Sequence, residues 1–500
     1  MSRVTRRDVA RGAGLAGLAR AGALIEAVAQ PLFTWLFGLA TYGLYVVLWG
    51  AVNLLSNVAD LAMTAALQRF VPSAGNEEEA HAAVKVALLI ALVPTVLIAA
   101  LVSFNAGAVA TFFSAAPEDQ ASLPQGIALF AWALPLWTFV EVATSAARAR
   151  RAFGPEIRLR IFWEQMARIL FVLGFAGLGF ASLGLVLAHL CSLALTAILC
   201  LPLLGRYYDL KLLVRTPVAG PLARTLAVTG LFLLPATIAR RILIDAPPVV
   251  LNMMLPGAHG ASAAGLFEIA RKISTIPLIV RQAFQYVMAP LSSAQAHLDR
   301  REIAPLYLFA SRVSTALVVP LAGLLVFAGR DILSLYRPEA QAALPLLYIL
   351  VAARAAEAIV GPATPIVEMT GHRALPLLNS AAGVALWGAL AFLLVPANGA
   401  IGMAIAVAAA TVFIAYAATL ELRIAERLTP FDGKLFRGFL IALAGVGLMA
   451  FAEQLTRGPA RFAGVLALWA LTSWCALRFG LLRADREALG PLAQHFRLLS

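Results

Sequence analysis

Long apolar runs, broken at intervals by short clusters of charged residues, proline and glycine, fill the chain from one end to the other. A helix that crosses a bilayer needs about 20 mostly apolar residues, and about fourteen segments meet that rule. They lie near 12–38, 41–70, 82–113, 124–147, 161–180, 182–204, 224–254, 261–291, 304–328, 342–369, 374–395, 400–421, 436–455 and 461–481. Backbone groups in lipid must be satisfied within the segment, which makes the helix the natural spanning form. The alternating apolar and polar positions of a barrel strand are missing from the sequence. The pattern predicts an all-α polytopic membrane protein.

Composition sharpens this picture. Hydrophobic residues make up 61% of the 500 and charged residues 13%, against roughly 25% charged in soluble domains; the mean hydropathy is +0.86. The formal charge of +13 would suit nucleic acid, but no soluble stretch is left to carry a groove-binding surface. The surplus is read instead through the rule that Lys and Arg gather in cytoplasmic loops. With the amino terminus inside, that side receives Arg3, Arg6, Arg7 and Arg11, then Arg69 and Lys85, then Arg148, Arg150, Arg151, Arg158 and Arg160. It goes on to receive Arg206, Lys211, Arg215, Arg224, Arg300, Arg301, Arg373, Arg423, Arg427, Lys434, Arg437, Arg478, Arg483, Arg486 and Arg497. The opposite side holds Arg330, Arg337, Arg457 and Arg461. Both termini are therefore expected in the cytoplasm.

At the amino terminus, Thr5-Arg6-Arg7-Asp8 and the later Ala27-Val28-Ala29 imitate a twin-arginine signal with a small-residue cleavage site. Arg20 and Glu26 interrupt the apolar region such a signal needs, so a retained first helix is expected. Cys191, Cys200 and Cys475 sit inside apolar runs without metal or disulfide spacing. No nucleotide loop of the G-x-x-x-x-G-K-[ST] type, no G-x-S-x-G elbow and no H-E-x-x-H pair is present. No cofactor is implied, and nothing points to an enzyme.

Two stretches hint at duplication. Tyr42-Gly43-Leu44-Tyr45 opens the second segment and Ala264-Gly265-Leu266-Phe267 the eighth; each segment ends near a proline, Pro72 and Pro290, before a charged turn. Repeats are a common way for transporters to build a site. The expected organisation is a six-helix lobe over 1–204, a basic linker over 205–223, a second six-helix lobe over 224–427, an appended helix pair over 428–482 and a tail over 483–500.

Ionisable residues inside spanning segments cost about 2.5–3.5 kcal/mol each at the bilayer centre and usually face a bundle interior or a cavity. Arg240, Arg241, Arg271 and Lys272 fall at similar depths on either side of the turn at 256–260, at a rise of about 1.5 Å per residue. Against them stand Asp245, four residues from Arg241, and Glu268, three and four residues from Arg271 and Lys272. The count leaves net positive charge, which suits an anionic guest; guanidinium forks match phosphate oxygens. Arg281, Arg312 and Arg354 lie nearer the cytoplasm, with Glu357 three residues from Arg354. Asp60 and Glu141 are acids of the first lobe, where Glu164 and Arg168 are spaced to pair. The same spacings also serve static pairs that lock helices together. Pro235, Pro247, Pro248 and Pro277 would interrupt the helical ladder and allow bends.

Several pieces in succession resemble the polysaccharide flippases of the multidrug/oligosaccharidyl-lipid/polysaccharide exporter superfamily. They are Ala40-Thr41-Tyr42-Gly43-Leu44-Tyr45 followed by Val58-Ala59-Asp60-Leu61, then Gly265-Leu266-Phe267, then Glu368-Met369-Thr370-Gly371, and the hairpin around Val395-Pro396-Ala397-Asn398-Gly399-Ala400-Ile401-Gly402. Together they run across residues 10–425. The resemblance implies two six-helix bundles around a central cavity with two extra helices, in a bacterial inner membrane. It implies transfer of an undecaprenyl-pyrophosphate-linked oligosaccharide between leaflets by alternating access, for lipopolysaccharide O-antigen, capsule or exopolysaccharide, beside polymerase and chain-length machinery. The sequence departs from the family where a glycine usually follows the leucine ending the second helix, here Ala62, and where the second lobe has Phe267 for tyrosine. In this reading Arg240, Arg241, Arg271 and Lys272 hold the pyrophosphate, Arg281, Arg312 and Arg354 draw it in, and Asp60, Glu141, Asp245, Glu268 and Glu357 tune charge or bind a coupling ion. The alternatives are a lipid II flippase and an ion-coupled multidrug efflux transporter; no loop is long enough for a glycosyltransferase domain.

Overall fold

The computed structural model describes residues 23–498 except 151, 153, 155–156, 219, 282–283, 285–302 and 371–373. Every regular element among the described residues is a helix. The principal helices are α1 (Ala23–Phe37), α2 (Leu39–Ala59), α3 (Met63–Ser73), α4 (Glu77–Phe104), α5 (Leu123–Phe130), α6 (Ala133–Ala149), α7 (Glu164–Gly177) and α8 (Gly184–Tyr207). They continue as α9 (Gly220–Met254), α10 (Gly257–Ser274), α11 (Ile303–Phe327), α12 (Leu344–Ile359), α13 (Ala363–Met369), α14 (Ala374–Ala425), α15 (Gly433–Leu455), α16 (Pro459–Gly480) and α17 (Arg483–Ala488). A π-helix, Ile157–Trp163, leads into α7.

Ten spans among the described residues are long and apolar enough to cross a membrane. The chain is a multi-pass membrane protein, and the apolar runs coincide with its helices. The expected count of fourteen rests partly on residues 12–22 and 285–291, which lie outside the described residues, as do the twin-arginine stretch and the turn at Arg300 and Arg301. The two segments expected at 374–395 and 400–421 form the arms of α14, which breaks at Gly399, φ 54° and ψ −130°. Trp387 Nε1 reaches Met403 Sδ at 3.3 Å and Asn379 Nδ2 donates to Glu421 at 2.8 Å. These cross-links pair the arms as an antiparallel hairpin.

Contacts divide the described chain into two compact units, Ile25–Glu268 and one formed mainly by Ile269–Ser500. The first unit continues past the expected linker 205–223 because α9 packs on α2, α3 and α4. At Gly50 a Cβ would stand 2.8 Å from the Asp245 carbonyl oxygen, so only glycine lets α2 and α9 approach so closely. α9 runs through Pro235, Pro247 and Pro248 as one 35-residue helix, about 52 Å at 1.5 Å per residue.

The two similar tetrapeptides meet inside this unit. A Cβ on Gly265 would lie 3.2 Å from the Cα of Gly43 and 3.0 Å from the Leu39 carbonyl oxygen, and one on Gly43 would lie 2.8 Å from the Gly265 nitrogen. α2 and α10 therefore cross in backbone contact at the paired glycines. In the second unit α11 is the central helix: 78% of its apolar window is buried, against 17% for α16. α11 packs on α12, α15 and α16.

Candidate functional site

The helix expected over 41–70 breaks between α2 and α3 without a glycine. Leu61 and Ala62 take φ of 47° and 54°, a left-handed conformation that costs an L-residue about 1–2 kcal/mol. The backbone of Ala62 thus adopts the geometry of the glycine that the resemblance leads one to expect there. Asp60 steadies the break: its carboxylate accepts the Ala62 N–H at 2.9 Å. Strain of this kind gathers at functional sites, and the residues around it are charged. Asp60 is buried and within electrostatic reach of Glu141 and Arg241. Glu141, on α6, accepts from Arg160 Nη2 at 3.3 Å and faces Arg241 Nη2 at 3.9 Å. Arg160 also stacks over Trp137, 4.5 Å from the ring centre. The first unit therefore gathers Asp60, Glu141, Arg160 and Arg241, two carboxylates and two guanidiniums.

Spacing along α9 places Asp245 one turn from Arg241, but the carboxylate that Arg241 reaches is Glu141, about a hundred residues away in sequence. Asp245 is buried where α9 meets Gly50. Arg240 is exposed. On α10, Glu268 is buried while Arg271 and Lys272, one turn on, are half-buried. Glu268 belongs to the first unit and Arg271 and Lys272 to the second, so the four cations at 240, 241, 271 and 272 are divided between the units.

The second unit holds a tighter group. Glu357, on α12, is buried with a side chain 3% exposed, and it is ion-paired to both Arg281 and Arg354. Arg354 Nη1 donates to Glu357 Oε1 at 2.6 Å, the i,i+3 pair expected from spacing. Two guanidiniums thus share one carboxylate, and the Nε of Arg354 is enclosed without a hydrogen-bond acceptor among the described residues. A buried polar group left in this state is costly unless something satisfies it.

Arg312, expected to draw in the guest, is ion-paired to two acids. It is buried on α11 and donates through Nη1 to Asp485 at 2.6 Å, and through Nε and Nη2 to Asp432 at 3.3 and 2.5 Å. Both acids are helix caps: Asp432 accepts from the Leu435 amide at 2.8 Å and Asp485 from the Leu482 amide at 3.2 Å. Arg312 therefore clamps α11 to the starts of α15 and α17. Burial pushes the Asp432 carboxyl up, but the hydrogen bonds from Arg312 and Leu435 outweigh it and hold the group below its usual value.

Sequence reading passed over one further cluster in the first unit. His189 on α8 is fully buried; its Nδ1 is hydrogen-bonded to the Tyr45 hydroxyl at 3.0 Å and its Nε2 lies 3.9 Å from Glu164. Glu164 is ion-paired to Arg168, as its spacing predicts, and Arg168 reaches Tyr45 at 3.4 Å. Trp49 packs on the imidazole, ring centres 4.2 Å apart. The signal available was a single histidine in the middle of the apolar run 182–204. Thr41 Oγ1 likewise donates to the buried Asp119 at 2.9 Å.

With this geometry in hand, the backbone can be set beside known structures. It is similar to the lipid II flippase MurJ in an inward closed conformation, with a TM-score of 0.74 and 12% identity over 92% of this chain and 97% of that one. The chain shares the fold of that structure. It is similar also to a MOP superfamily transporter from Pyrococcus furiosus described as having a binding pocket of reversed polarity, with a TM-score of 0.62 and 14% identity over 84% of this chain and 96% of that one. An inward-facing multidrug resistance MATE family transporter of the same superfamily gives a TM-score of 0.60 at 14% identity, covering 92% of this chain and 97% of its own. No family model and no curated protein matches the chain by sequence. The likeness carries the fold alone.

Proposed function

We propose that the chain is a flippase that moves an undecaprenyl-pyrophosphate-linked oligosaccharide across the bacterial inner membrane by alternating access, in surface polysaccharide assembly. The observation that carries this reading is the group of Arg281, Arg354 and Glu357. Two guanidiniums around one buried carboxylate, with the Nε of Arg354 lacking an acceptor among the described residues, make a place where an anionic oxygen is welcome. A pyrophosphate supplies several such oxygens and suits the planar fork of arginine. Arg271 and Lys272 of the same unit are the further cations assigned to the diphosphate, while Arg240 and Arg241, of the first unit, are not part of that group. Asp60, Glu141, Asp245 and Glu268 are assigned to charge tuning within the first unit. Arg312 is assigned to the clamp on Asp432 and Asp485, and leaves the binding set.

The likeness to a lipid II flippase supports a lipid-linked cargo and makes lipid II the second reading. The test is mass spectrometry of undecaprenyl-pyrophosphate-linked glycans in cells lacking the gene, with surface polymer assayed in parallel. Accumulated completed repeat units with lost surface polymer are expected. Accumulated peptidoglycan precursor with arrested growth would replace the first reading by the second.

A further inference from the structure

A second cationic place lies away from the groups above, within the first unit. The π-helix Ile157–Trp163 and the last turns of α8 enclose a cavity of about 340 Å³, within the range of about 300–1,000 Å³ usual for small-ligand sites. Its lining includes Arg158 and Trp163 from the π-helix and Leu199, Pro202, Leu203 and Arg206 from α8. Both arginines are exposed, and among the described residues neither pairs with a carboxylate. Arg160, two residues beyond Arg158, is engaged instead with Glu141 and Trp137, so the two arginines of this segment serve different places. π-Helical turns are rare and recur at functional sites, and this one sets Arg158 beside Arg206, about fifty residues later in the chain.

We infer that this cavity binds one anionic phospholipid, its phosphate on Arg158 and Arg206 and the upper part of its acyl chains on Trp163, Leu199 and Leu203. The choice of occupant follows from the lining. Two cations stand in an otherwise apolar lining, and Trp163 and Leu199 are 57% and 40% exposed, so the lining opens onto the surface of a multi-pass chain. A free phosphate ion would gain nothing from leucine, proline and tryptophan, whereas a lipid uses both ends. Tryptophan is also the residue that favours the headgroup level of a bilayer.

The experiment is native mass spectrometry of the full-length chain offered equal amounts of phosphatidylglycerol and phosphatidylcholine of the same acyl composition. The wild type retains phosphatidylglycerol preferentially. Arg158→Gln and Arg206→Gln each reduce that preference about fivefold, since a basic residue near an anionic headgroup contributes about that factor. The double Lys variant, R158K/R206K, keeps the preference, which separates loss of charge from loss of fold. Leu199→Gln, with both arginines intact, weakens retention as well. An unchanged preference in R158Q/R206Q overturns the assignment. Displacement of the lipid by an equal concentration of glycerol 3-phosphate overturns it too, because the site would then serve a soluble phosphate.

Discussion

The two units handle buried charge in opposite ways. In the first, Asp60 and Glu141 meet Arg160 and Arg241, acids and bases in equal number, beside helices that touch through backbone at Gly43 and Gly265. In the second, Arg281 and Arg354 share Glu357, and a separate arginine, Arg312, holds helix starts together through two capping acids. In the first unit's group of four, acids and bases are matched and Arg160 also lies over an aromatic face; in the second unit's group, two guanidiniums meet on one buried carboxylate. It is at this second group that the proposed diphosphate would be received.

The sharpest way to break this contrast is to remove one acid from each unit. Glu357→Ala should destabilise by about 3–5 kcal/mol, because it leaves two cations in a buried site without their shared partner. Glu141→Ala should cost about 1–2 kcal/mol, since Arg241 is 40% exposed and Arg160 keeps its contact with Trp137. Unfolding of the two variants in detergent measures the difference, and equal losses would erase the distinction drawn here. Packing in the first unit gives the next effect. Gly43→Leu should cost about 3 kcal/mol by forcing α2 from α10, while Gly174→Leu, where a Cβ meets nothing within 4 Å, should cost nothing.

A smaller effect separates the Arg312 clamp from the binding group. The Asp432 carboxyl is lower in the folded chain than its ordinary value of 3.8. Its contribution, about 1 kcal/mol for a partly exposed pair, is therefore present above that ordinary value and lost as pH falls through the lower folded one. Asp432→Asn should flatten the acid limb of a stability-against-pH curve below about pH 4 and leave the neutral region with a uniform loss. The smallest change is expected at the α2–α3 break. Ala62→Gly relieves a left-handed alanine but gives up a buried methyl, so stability should hold or rise by up to about 1 kcal/mol. A clear loss there would mean that the break is not strained.

How far these features were legible in the sequence follows from their range along the chain. Glu164–Arg168 and Arg354–Glu357 are one helical turn apart, and spacing alone finds them. Arg241 with Glu141, Arg312 with Asp432 and Asp485, and Tyr45 with His189 join residues from distant helices, so no local pattern could pair them. Spacing set Asp245 one turn from Arg241, but the acid that Arg241 reaches, Glu141, lies on another helix. The helices themselves were legible because a bilayer-length apolar run has few alternatives. The break at Leu61 and Ala62 was not, because neither residue is one of the usual signals for left-handed backbone. The similar tetrapeptides at 42–45 and 264–267 were visible as a repeat, but their contact was not.

The most direct test of the account is the affinity of the purified full-length chain for undecaprenyl pyrophosphate, compared between R281Q/R354Q and R160Q/R241Q. The account predicts a loss of about tenfold or more in the second-unit pair, the scale of a charge-assisted hydrogen bond, and a change within about twofold in the first-unit pair. Equal losses, or a loss confined to R160Q/R241Q, would contradict the proposal that Arg281 and Arg354 of the second unit receive the diphosphate.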